Sequence, residues 1–260
     1  MNLNLNNKYA LVCGSTAGIG KATAMALAEE GVQVTLIARN EEKLKTVLSE
    51  FPEHRNHDYI VADFSNPKEL QSKVSEYISN HHGFHILVNN TGGPKGGPVF
   101  SADIDEFESA FTQHLKCNHV LAQTVVPHMK SEGYGRIINV ISTSVKQPLD
   151  GLGVSNTIRG AVANWSKTLA NELGQFGITV NNVLPGATGT ERLAEIIKNK
   201  SAKAGNTEEE AANAMKSAVP AKRFAKPDEI ASAITFLASE QASYINGINL
   251  PVDGGRTKSL

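Results

Sequence analysis

Three glycines at fixed spacing form the first stretch of the chain that could do chemistry. Gly14, Gly18 and Gly20 follow an apolar run at residues 9–13, which predicts a buried strand, and precede an Ala- and Leu-rich segment, which predicts a helix. This order is typical of a nucleotide phosphate site, because phosphates can approach the glycine backbone and the helix N-terminus attracts anions. The alternative is an ordinary strand-to-helix turn, since the spacing is not the more common Gly-x-Gly-x-x-Gly. The predicted contacts include the residues between the glycines, Ser15, Thr16 and Ile19.

A basic residue follows the second predicted strand, at residues 33–38. An acidic residue at this position would bind the ribose 2′-hydroxyl of NAD, whereas Arg39 can bind the 2′-phosphate of NADP in a forked geometry. The sequence therefore predicts NADP rather than NAD as the cofactor. The alternative is that Arg39 is a solvated surface residue.

Two further predicted strands end in residues that could line the same crevice. Asp63 and Phe64 follow the third predicted strand, and Asn90 and Gly92 follow the fourth. Loops that leave the carboxyl ends of parallel strands form the ligand crevice of such a sheet. Asp63 could accept a hydrogen bond from an adenine amine or could cap the next helix, and Asn90 and Gly92 are predicted ribose contacts.

Strands alternate with helices along the whole chain. This order predicts an α/β fold with a Rossmann-type, doubly wound parallel sheet of about seven strands and helices on both faces. We expect residues 1–260 to form a single dinucleotide-binding domain, with one long helix over residues 103–129. Residues 191–219 are polar with few apolar positions, and they predict short amphipathic helices that fold over the crevice as a lid. A partly disordered insertion is the alternative for this segment.

The composition excludes several classes of protein. A net charge of −1 at pH 7, without a dense basic stripe, argues against nucleic-acid binding. No apolar run is long enough to span a membrane, and the first residues are polar, without a signal segment. Only two cysteines occur, and Cys13 lies in a predicted buried strand, so we expect no disulfide and a cytoplasmic location. The spacing of ligand residues indicates no metal site.

Several motifs together resemble the short-chain dehydrogenase/reductase family over nearly the whole chain. Residues 14–20 are similar to the family's cofactor loop, residues 89–92 to its Asn-Asn-Ala-Gly motif, and residues 222–230 and 246–255 to its C-terminal signature. The segment that meets the nicotinamide carboxamide is matched by Pro185, Gly186, Thr188 and Thr190. The resemblance implies a Rossmann-type sheet, a nicotinamide cofactor and a homotetramer or homodimer.

The catalytic side chains of that family match only in part. Ser142 occupies the position of the serine that polarises the substrate. Where the family has Tyr and, four residues later, Lys, this chain has Ser155 and Arg159. His114 stands where the family has a supporting Asn, and we predict that it packs at the helix there. The alternative is that His114 supplies the missing acid, because the reference pKa of histidine suits neutral pH. The chain therefore resembles a divergent branch, similar to acyl-carrier-protein reductases, that lacks the Tyr/Lys pair.

These substitutions change the chemistry that the resemblance implies. A tyrosine with a reference pKa of ~10 donates the proton in carbonyl reduction, and Ser155 is a far weaker and shorter acid. Arg159 stays charged, so it can bind ribose hydroxyls and stabilise an oxyanion but cannot readily shuttle protons. Loss of a positioned general acid typically costs a factor of about 10² to 10⁴ in rate.

Three functions fit this pattern. The first is an NADP-dependent oxidoreductase of a small carbonyl or alcohol substrate, in which Ser142 and Arg159 stabilise the oxyanion and water or Ser155 supplies the proton. The second is a catalytically impaired NADP-binding protein that acts as a sensor or assembly subunit. The third is proton-transfer or elimination chemistry. An anionic substrate is a further hypothesis, with scattered surface charges as its alternative, because four cations are expected to rim the crevice: Lys95, Lys146, Arg159 and Arg192.

Overall fold

A computed structural model describes residues 2–52 and 56–259, and seven strands in this part form one parallel sheet. In chain order the strands are β1 (Tyr9–Cys13), β2 (Gln33–Ala38), β3 (Asp58–Val61), β4 (Ile86–Asn89), β5 (Gly135–Val140), β6 (Ile178–Pro185) and β7 (Asn249–Val252). Their order across the sheet is β3-β2-β1-β4-β5-β6-β7. The order reverses between β1 and β4, and in open sheets of this kind ligands bind at that reversal, outside the carboxyl ends of the strands.

Nine α-helices occur in the same described residues. They are α1 (Gly18–Glu29), α2 (Glu41–Leu48), α3 (Pro67–Asn80), α4 (Ile104–Phe111), α5 (Cys117–Glu132), α6 (Gly153–Leu173), α7 (Glu191–Ala204), α8 (Glu208–Ser217) and α9 (Pro227–Ala238). The prediction of one helix over residues 103–129 was wrong, because the π-helix Thr112–Lys116 separates α4 from α5. A π-helical turn of this kind is frequently found at functional sites. Within residues 2–52 and 56–259, no helix combines the length and apolar character needed to cross a membrane.

The helices cover both faces of the sheet, which confirms the predicted doubly wound fold. Side chains alternate between the faces along each strand, so Ala10 and Val12 of β1 lie on one side and Leu11 and Cys13 on the other. On the first side they join the core formed by α1, α2 and α9, and on the second side the core formed by α3, α5 and α6. This packing leaves the carboxyl ends of the central strands for the loops that carry the site.

Residues 191–219 contain two short helices, as the sequence predicted. They are lightly anchored, because the buried side chains are Leu193 and Ser201 in α7 and Ala211 in α8. Elements with few buried contacts open at low free-energy cost. The role of this segment as a lid stays a prediction.

A line of four asparagines crosses the sheet from β4 to β7, and the sequence analysis did not predict it. Asn89 donates to Asn139 over 2.8 Å, and Asn139 donates to Asn182 over 3.0 Å. Asn182 in turn donates to Asn249 over 2.8 Å. The four residues are paired in register on neighbouring strands. Because a slip of one residue would turn each amide to the opposite face, these bonds fix the register of the strands that end at the site.

Candidate functional site

The glycine-rich turn between β1 and α1 has a shape that only glycine allows. Gly14 has a φ of +59°, and a Cβ there would lie 2.5 Å from the backbone oxygen of Asn90. Gly18 also has a positive φ, of +53°. A Cβ on Gly20 would collide with the backbone oxygen of Gly14. The spacing of the three glycines is therefore required by the close approach of this turn to the loop after β4.

The start of α1 presents unpaired backbone donors to the crevice. In the described part of the chain, no acceptor pairs with the N–H groups of Gly18, Ile19 and Gly20. The first N–H groups of a helix have no partner within the helix, and together with the helix dipole they bind anions. Thr16, half-buried in the same turn, lies two residues before the first of these donors. The turn can therefore hold the phosphates of a dinucleotide.

Hydrogen bonds to β2 and to the loop after β4 hold this turn in place. Gly14 N donates to Ile37 O over 2.9 Å, and Ile37 N donates to the Ser15 hydroxyl over 3.1 Å. Asn90 Nδ2 lies 3.3 Å from both Cys13 O and Gly14 O, to which it donates. Ser15 is completely buried, so the structure gives its side chain a supporting role in the turn. A direct contact between Ser15 or Asn90 and a cofactor stays a prediction.

The ends of β2 and β3 form one wall of the crevice. Arg39 is exposed directly after β2. The hypothesis that Asp63 caps α3 was wrong, because Asn66 accepts the capping bond from Glu69 N while Asp63 accepts from Ser65 N. The Ser65 N–H is the main cause that lowers the pKa of Asp63, and the charge of Arg39 adds to it. Phe64 is half-buried and packs against the core under α3 and α5.

The end of β6 forms the opposite wall. Gly186 N donates to Val252 O over 2.9 Å, and a Cβ on Gly186 would lie 2.7 Å from Asp253 Cα. Thr188 is buried, and its hydroxyl donates to Gly186 O over 3.1 Å. The half-buried Pro185 ends the strand.

Two of the predicted cofactor segments meet directly. The Thr190 methyl group lies 3.0 Å from the position of a Cβ on Gly18. Across the crevice, Gly92 faces open space, since a Cβ there would meet nothing within 4 Å. The structure thus brings the β1 turn and the β6 loop together and leaves room beside the β4 loop.

A buried cation lies on α6, one helical turn after Ser155. Arg159 is 7% exposed on α6, and its Nη1 donates to Val140 O, at the end of β5, over 3.0 Å. Among the described residues no carboxylate forms an ion pair with it. Burial lowers the pKa of Arg159 to about 10, so the guanidinium is still charged at neutral pH. A buried charge without a counterion favours an anion nearby.

The two predicted catalytic serines lie close to this cation in the chain. Ser142 is half-buried two residues after Val140, and its Oγ accepts a hydrogen bond from Ser144 N over 3.1 Å. Since that bond uses the oxygen as acceptor, the Ser142 proton is available for a ligand oxygen. Ser155 is half-buried and stands one helical turn before Arg159 on α6.

His114 lies in the π-helix and is almost completely buried, as predicted. Its Nδ1 lies 2.5 Å from the hydroxyl oxygen of Thr91. Burial, with a smaller contribution from the charge of Arg159, lowers the pKa of His114 to about 2, so the ring is neutral at working pH. Sequence reasoning missed Thr91 as its partner. The available signal was a threonine where the resembled motif has Ala.

No tyrosine occupies the place of the missing phenol. The chain has five tyrosines, and none forms a hydrogen bond with Ser142, Ser155 or Arg159 in the part that the structure describes. Three of their hydroxyls bond elsewhere, to Glu41, Thr35 and Ala238 O, while one tyrosine ring stacks on His82 and one is fully exposed. The five residues are Tyr9, Tyr59, Tyr77, Tyr134 and Tyr244.

The loop after β4 is joined to the start of α6 by backbone hydrogen bonds. Gly97 N donates to Gly151 O over 2.8 Å, and Gly153 N donates back to Gly97 O over 3.0 Å. A Cβ on Gly153 would lie 2.5 Å from the Val99 backbone. This pairing, which sequence reasoning missed, covers the chain just before Ser155. The only sequence feature that could have predicted this pairing is the presence of glycines in both segments.

Comparison with known proteins gives consistent matches over the whole chain. A family described as Enoyl-(Acyl carrier protein) reductase matches residues 14–257. The chain is 33% identical to the 4-formylbenzenesulfonate dehydrogenase TsaC1/TsaC2 of Comamonas testosteroni, over 98% of this chain and 99% of that protein. It is 29% identical to the NADPH-dependent reductase BacG of Bacillus subtilis (strain 168), over 98% of this chain and 100% of that protein. Among solved structures, the L-sorbose reductase of Gluconobacter frateurii, complexed with NADPH and L-sorbose, is 30% identical with a TM-score of 0.92, over 100% of both chains.

Proposed function

The chain belongs to the short-chain dehydrogenase/reductase family, and on this premise we propose that it is an NADP-dependent oxidoreductase of small carbonyl or alcohol substrates with an altered set of catalytic residues. The observation that carries the proposal is the set of unpaired N–H groups at Gly18, Ile19 and Gly20, held at the sheet reversal. We place the protein in a divergent branch of the family that lacks the Tyr/Lys pair.

The residues around the β1 turn fit an NADP molecule. The unpaired N–H groups suit its diphosphate, and the exposed Arg39 suits its 2′-phosphate. The relatives named above include a reductase that is NADPH-dependent and a structure that contains NADPH. On the other wall, Pro185, Gly186, Thr188 and Thr190 would meet the nicotinamide end.

When it is bound, the cofactor supplies or accepts the hydride. The Ser142 hydroxyl donates to the substrate oxygen, because its own oxygen already accepts from Ser144 N. The buried charge of Arg159 stabilises the negative charge that develops on that oxygen, and its effect is strengthened by the low dielectric around it. We also propose that Arg159 holds ribose hydroxyls of the cofactor.

The proton must come by another route than in the family at large. His114 is neutral and the tyrosines lie elsewhere in the described chain, so we propose Ser155 with bound water as the donor. A serine with bound water is a weak relay, and we expect turnover to be slower than that of a tyrosine enzyme by a factor of about 10² to 10⁴. Activated substrates, whose alkoxides are less basic, suit such a site best.

The missing acid also favours a second candidate, the reduction of a carbon–carbon double bond conjugated to a carbonyl group. Hydride addition to the β-carbon leaves an enolate, whose charge is delocalised and which water can protonate at the α-carbon. Arg159 would stabilise the enolate oxygen as it would an alkoxide. The description of the matching family, an enoyl reductase, is consistent with this reaction.

One experiment separates these functions from a protein without turnover. Purified protein is incubated with NADPH and a panel of activated ketones, aldehydes and enones, and NADPH oxidation and products are measured. Alcohol products support the first proposal and saturated ketones the second. NADPH binding without any oxidation would instead favour the sensor or assembly role, and conversion of a substrate without a change in the cofactor would favour proton transfer or elimination.

Arg39 provides the matched test of cofactor choice. We expect Arg39→Ala to raise the Kd for NADPH by about tenfold or more and to leave the Kd for NADH unchanged, because only NADPH carries the 2′-phosphate. Lys43→Ala, on the exposed face of α2, is the control. The homo-oligomer, the cytoplasmic location and the lid stay predictions.

A further inference from the structure

Arg192, on the first turn of α7, spans the mouth of the crevice. Its helix begins beside the phosphate turn, because Thr190 contacts the position of a Cβ on Gly18. From there the side chain reaches the loop after β4, where Nη2 donates to Pro94 O over 2.6 Å. Its Nε lies 3.8 Å from the position of a Cβ on Gly93. The guanidinium therefore bridges the start of α7 and the loop after β4.

The loop that Arg192 touches belongs to the site at both ends. Before Pro94, the side chain of Asn90 holds Gly14 of the phosphate turn. After it, Gly97 pairs with Gly151 just ahead of α6 and Ser155. A group bound by Arg192 beside Pro94 would consequently lie between the cofactor turn and the catalytic helix.

The partners of Arg192 do not balance its charge well. One N–H group points at a neutral carbonyl, and Nη1 lies 3.2 Å from the Glu195 carboxylate. That ion pair is exposed, with 38% and 65% of the two side chains accessible, and exposed pairs contribute little. A guanidinium has five N–H donors in a planar fork, and it can bind a carboxylate through two parallel N–H···O bonds, whereas the Pro94 carbonyl takes one bond and carries no charge. An incoming carboxylate would therefore replace Pro94 O favourably.

We infer that Arg192 is a specificity residue that binds a carboxylate group on the substrate. This inference rests on the proposed function, since it concerns the substrate of the same site, and it assigns the anion to Arg192 among the four cations expected at the rim. The anion that binds the Arg192 guanidinium could also be the diphosphate of the cofactor instead of a substrate carboxylate. The test has to distinguish these two sources.

The test compares matched alcohols that differ by one carboxylate. Each alcohol is titrated by calorimetry into the NADP⁺-loaded protein and into the free protein. The neutral alcohol and the carboxylate of each pair are compared: benzyl alcohol and 4-(hydroxymethyl)benzoate, cyclohexylmethanol and 4-(hydroxymethyl)cyclohexanecarboxylate, 1-butanol and 4-hydroxybutanoate. We expect the carboxylate to bind about tenfold or more tightly in at least one pair, and Arg192→Gln to remove that preference. Arg192→Lys should keep part of it, because the charge remains while the fork is lost. Glu195→Gln, the matched control on the same helix, should keep or increase it.

Three outcomes would overturn the inference. The first is no carboxylate preference in any pair. The second is a preference that survives Arg192→Gln with NADP⁺ affinity unchanged. The third is a preference that survives Arg192→Gln while NADP⁺ affinity falls about tenfold, which would assign the cation to the cofactor. Oxidation of NADPH by the corresponding aldehydes is measured separately. A carboxylate preference that depends on Arg192, without any turnover, would contradict the proposed reductase and leave this inference standing.

Discussion

The Thr91 hydroxyl lies 2.5 Å from Nδ1 of His114, and this contact joins two positions at which the chain departs from the motifs of its family. Thr91 follows β4, and His114 lies in the π-helix between α4 and α5. Because the ring is buried and neutral, the hydrogen bond ties the crevice loop to the irregular turn of the helix. We therefore interpret the Thr at position 91 and the His at position 114 as a coupled pair of substitutions.

This pairing predicts non-additive effects on stability. Thr91→Ala leaves a buried ring nitrogen without its partner, and we expect a loss of about 1–3 kcal/mol in the free energy of unfolding. Thr91→Ala with His114→Asn, the combination found in the family's motifs, should lose clearly less than the sum of the single variants. Urea unfolding of all four proteins measures the coupling. Additivity within about 0.5 kcal/mol would show that the two residues are independent.

The phosphate turn predicts a sharp difference between two glycines. Gly20→Ala places a methyl group against Gly14 O and the Asn90 side chain, so the turn must open, and we expect NADPH affinity to fall by about 100-fold or more. Gly160→Ala, on α6, meets nothing within 4 Å and serves as the matched control with unchanged affinity. Fluorescence titration with NADPH gives both values, and thermal melts show that each variant is folded. Equal affinities in the two variants would argue against a phosphate site at this turn.

The amino-terminal edge of the sheet predicts a loss of stability in acid. His85 is 6% exposed, and its Nδ1 accepts a hydrogen bond from Tyr9 N over 3.1 Å, which only an unprotonated ring nitrogen can do. Burial first, and then the charge of Lys8 and the neighbouring His128, lower the pKa of His85 to about 4, against an opposing effect of Glu132. Among the described residues, the side-chain partners of His85 lie outside the proposed site.

The sign follows from the protons bound by each state. Between pH 6.5 and 4 the unfolded chain binds more protons at this residue, so the stability present above about pH 6.5 is lost as the pH falls toward about 4. The full shift corresponds to about 3 kcal/mol. Urea unfolding between pH 7 and pH 4 should show a slope that His85→Asn reduces and His81→Asn, at an exposed position, does not. An unchanged slope in His85→Asn would place the acid sensitivity elsewhere.

The absent phenol can be restored. Ser155 is half-buried at the start of α6, so a larger ring there is not forced into the core. We expect Ser155→Tyr with Arg159→Lys to raise kcat for reduction of an activated ketone by about 10²-fold or more, because it supplies a positioned acid. Arg159→Lys alone should not raise it. Steady-state rates of NADPH oxidation measure both, and a double variant that folds and binds NADPH but is no faster would show that proton supply does not limit turnover.

Local patterns in the sequence are sufficient to predict the sheet, but they do not predict the contacts within the site. Each strand is a short apolar run, and each helix follows with its own periodicity, so the order of elements is visible without long-range information. Gly14, Gly18 and Gly20 can be recognised in the sequence because a tight turn between a strand and a helix requires them at a fixed local spacing. The π-helix at His114 is not visible, since residues 103–129 have the pattern of one continuous helix and the irregular turn depends on tertiary packing.

Contacts between distant loops carry even less signal. The bond from Arg192 to Pro94 and the pairing of Gly97 with Gly151 join segments that are far apart in the chain. An arginine on a polar helix and glycines in a loop are common, and the sequence of either segment does not indicate which distant segment it contacts. The position of Arg192 at the crevice was expected from its loop, whereas its partner could be found only from the structure.

The asparagine line from β4 to β7 has a direction, because Asn89, Asn139 and Asn182 each donate an amide hydrogen to the amide oxygen of the asparagine on the next strand. An aspartate has no amide hydrogens, so deamidation at Asn139 or Asn182 would break the relay on one side and leave a carboxylate in the interior. At Asn249, which only accepts within this line, the same conversion keeps the hydrogen bond. Chemical ageing of the protein would therefore be harmful or harmless according to which of four identical side chains it reaches.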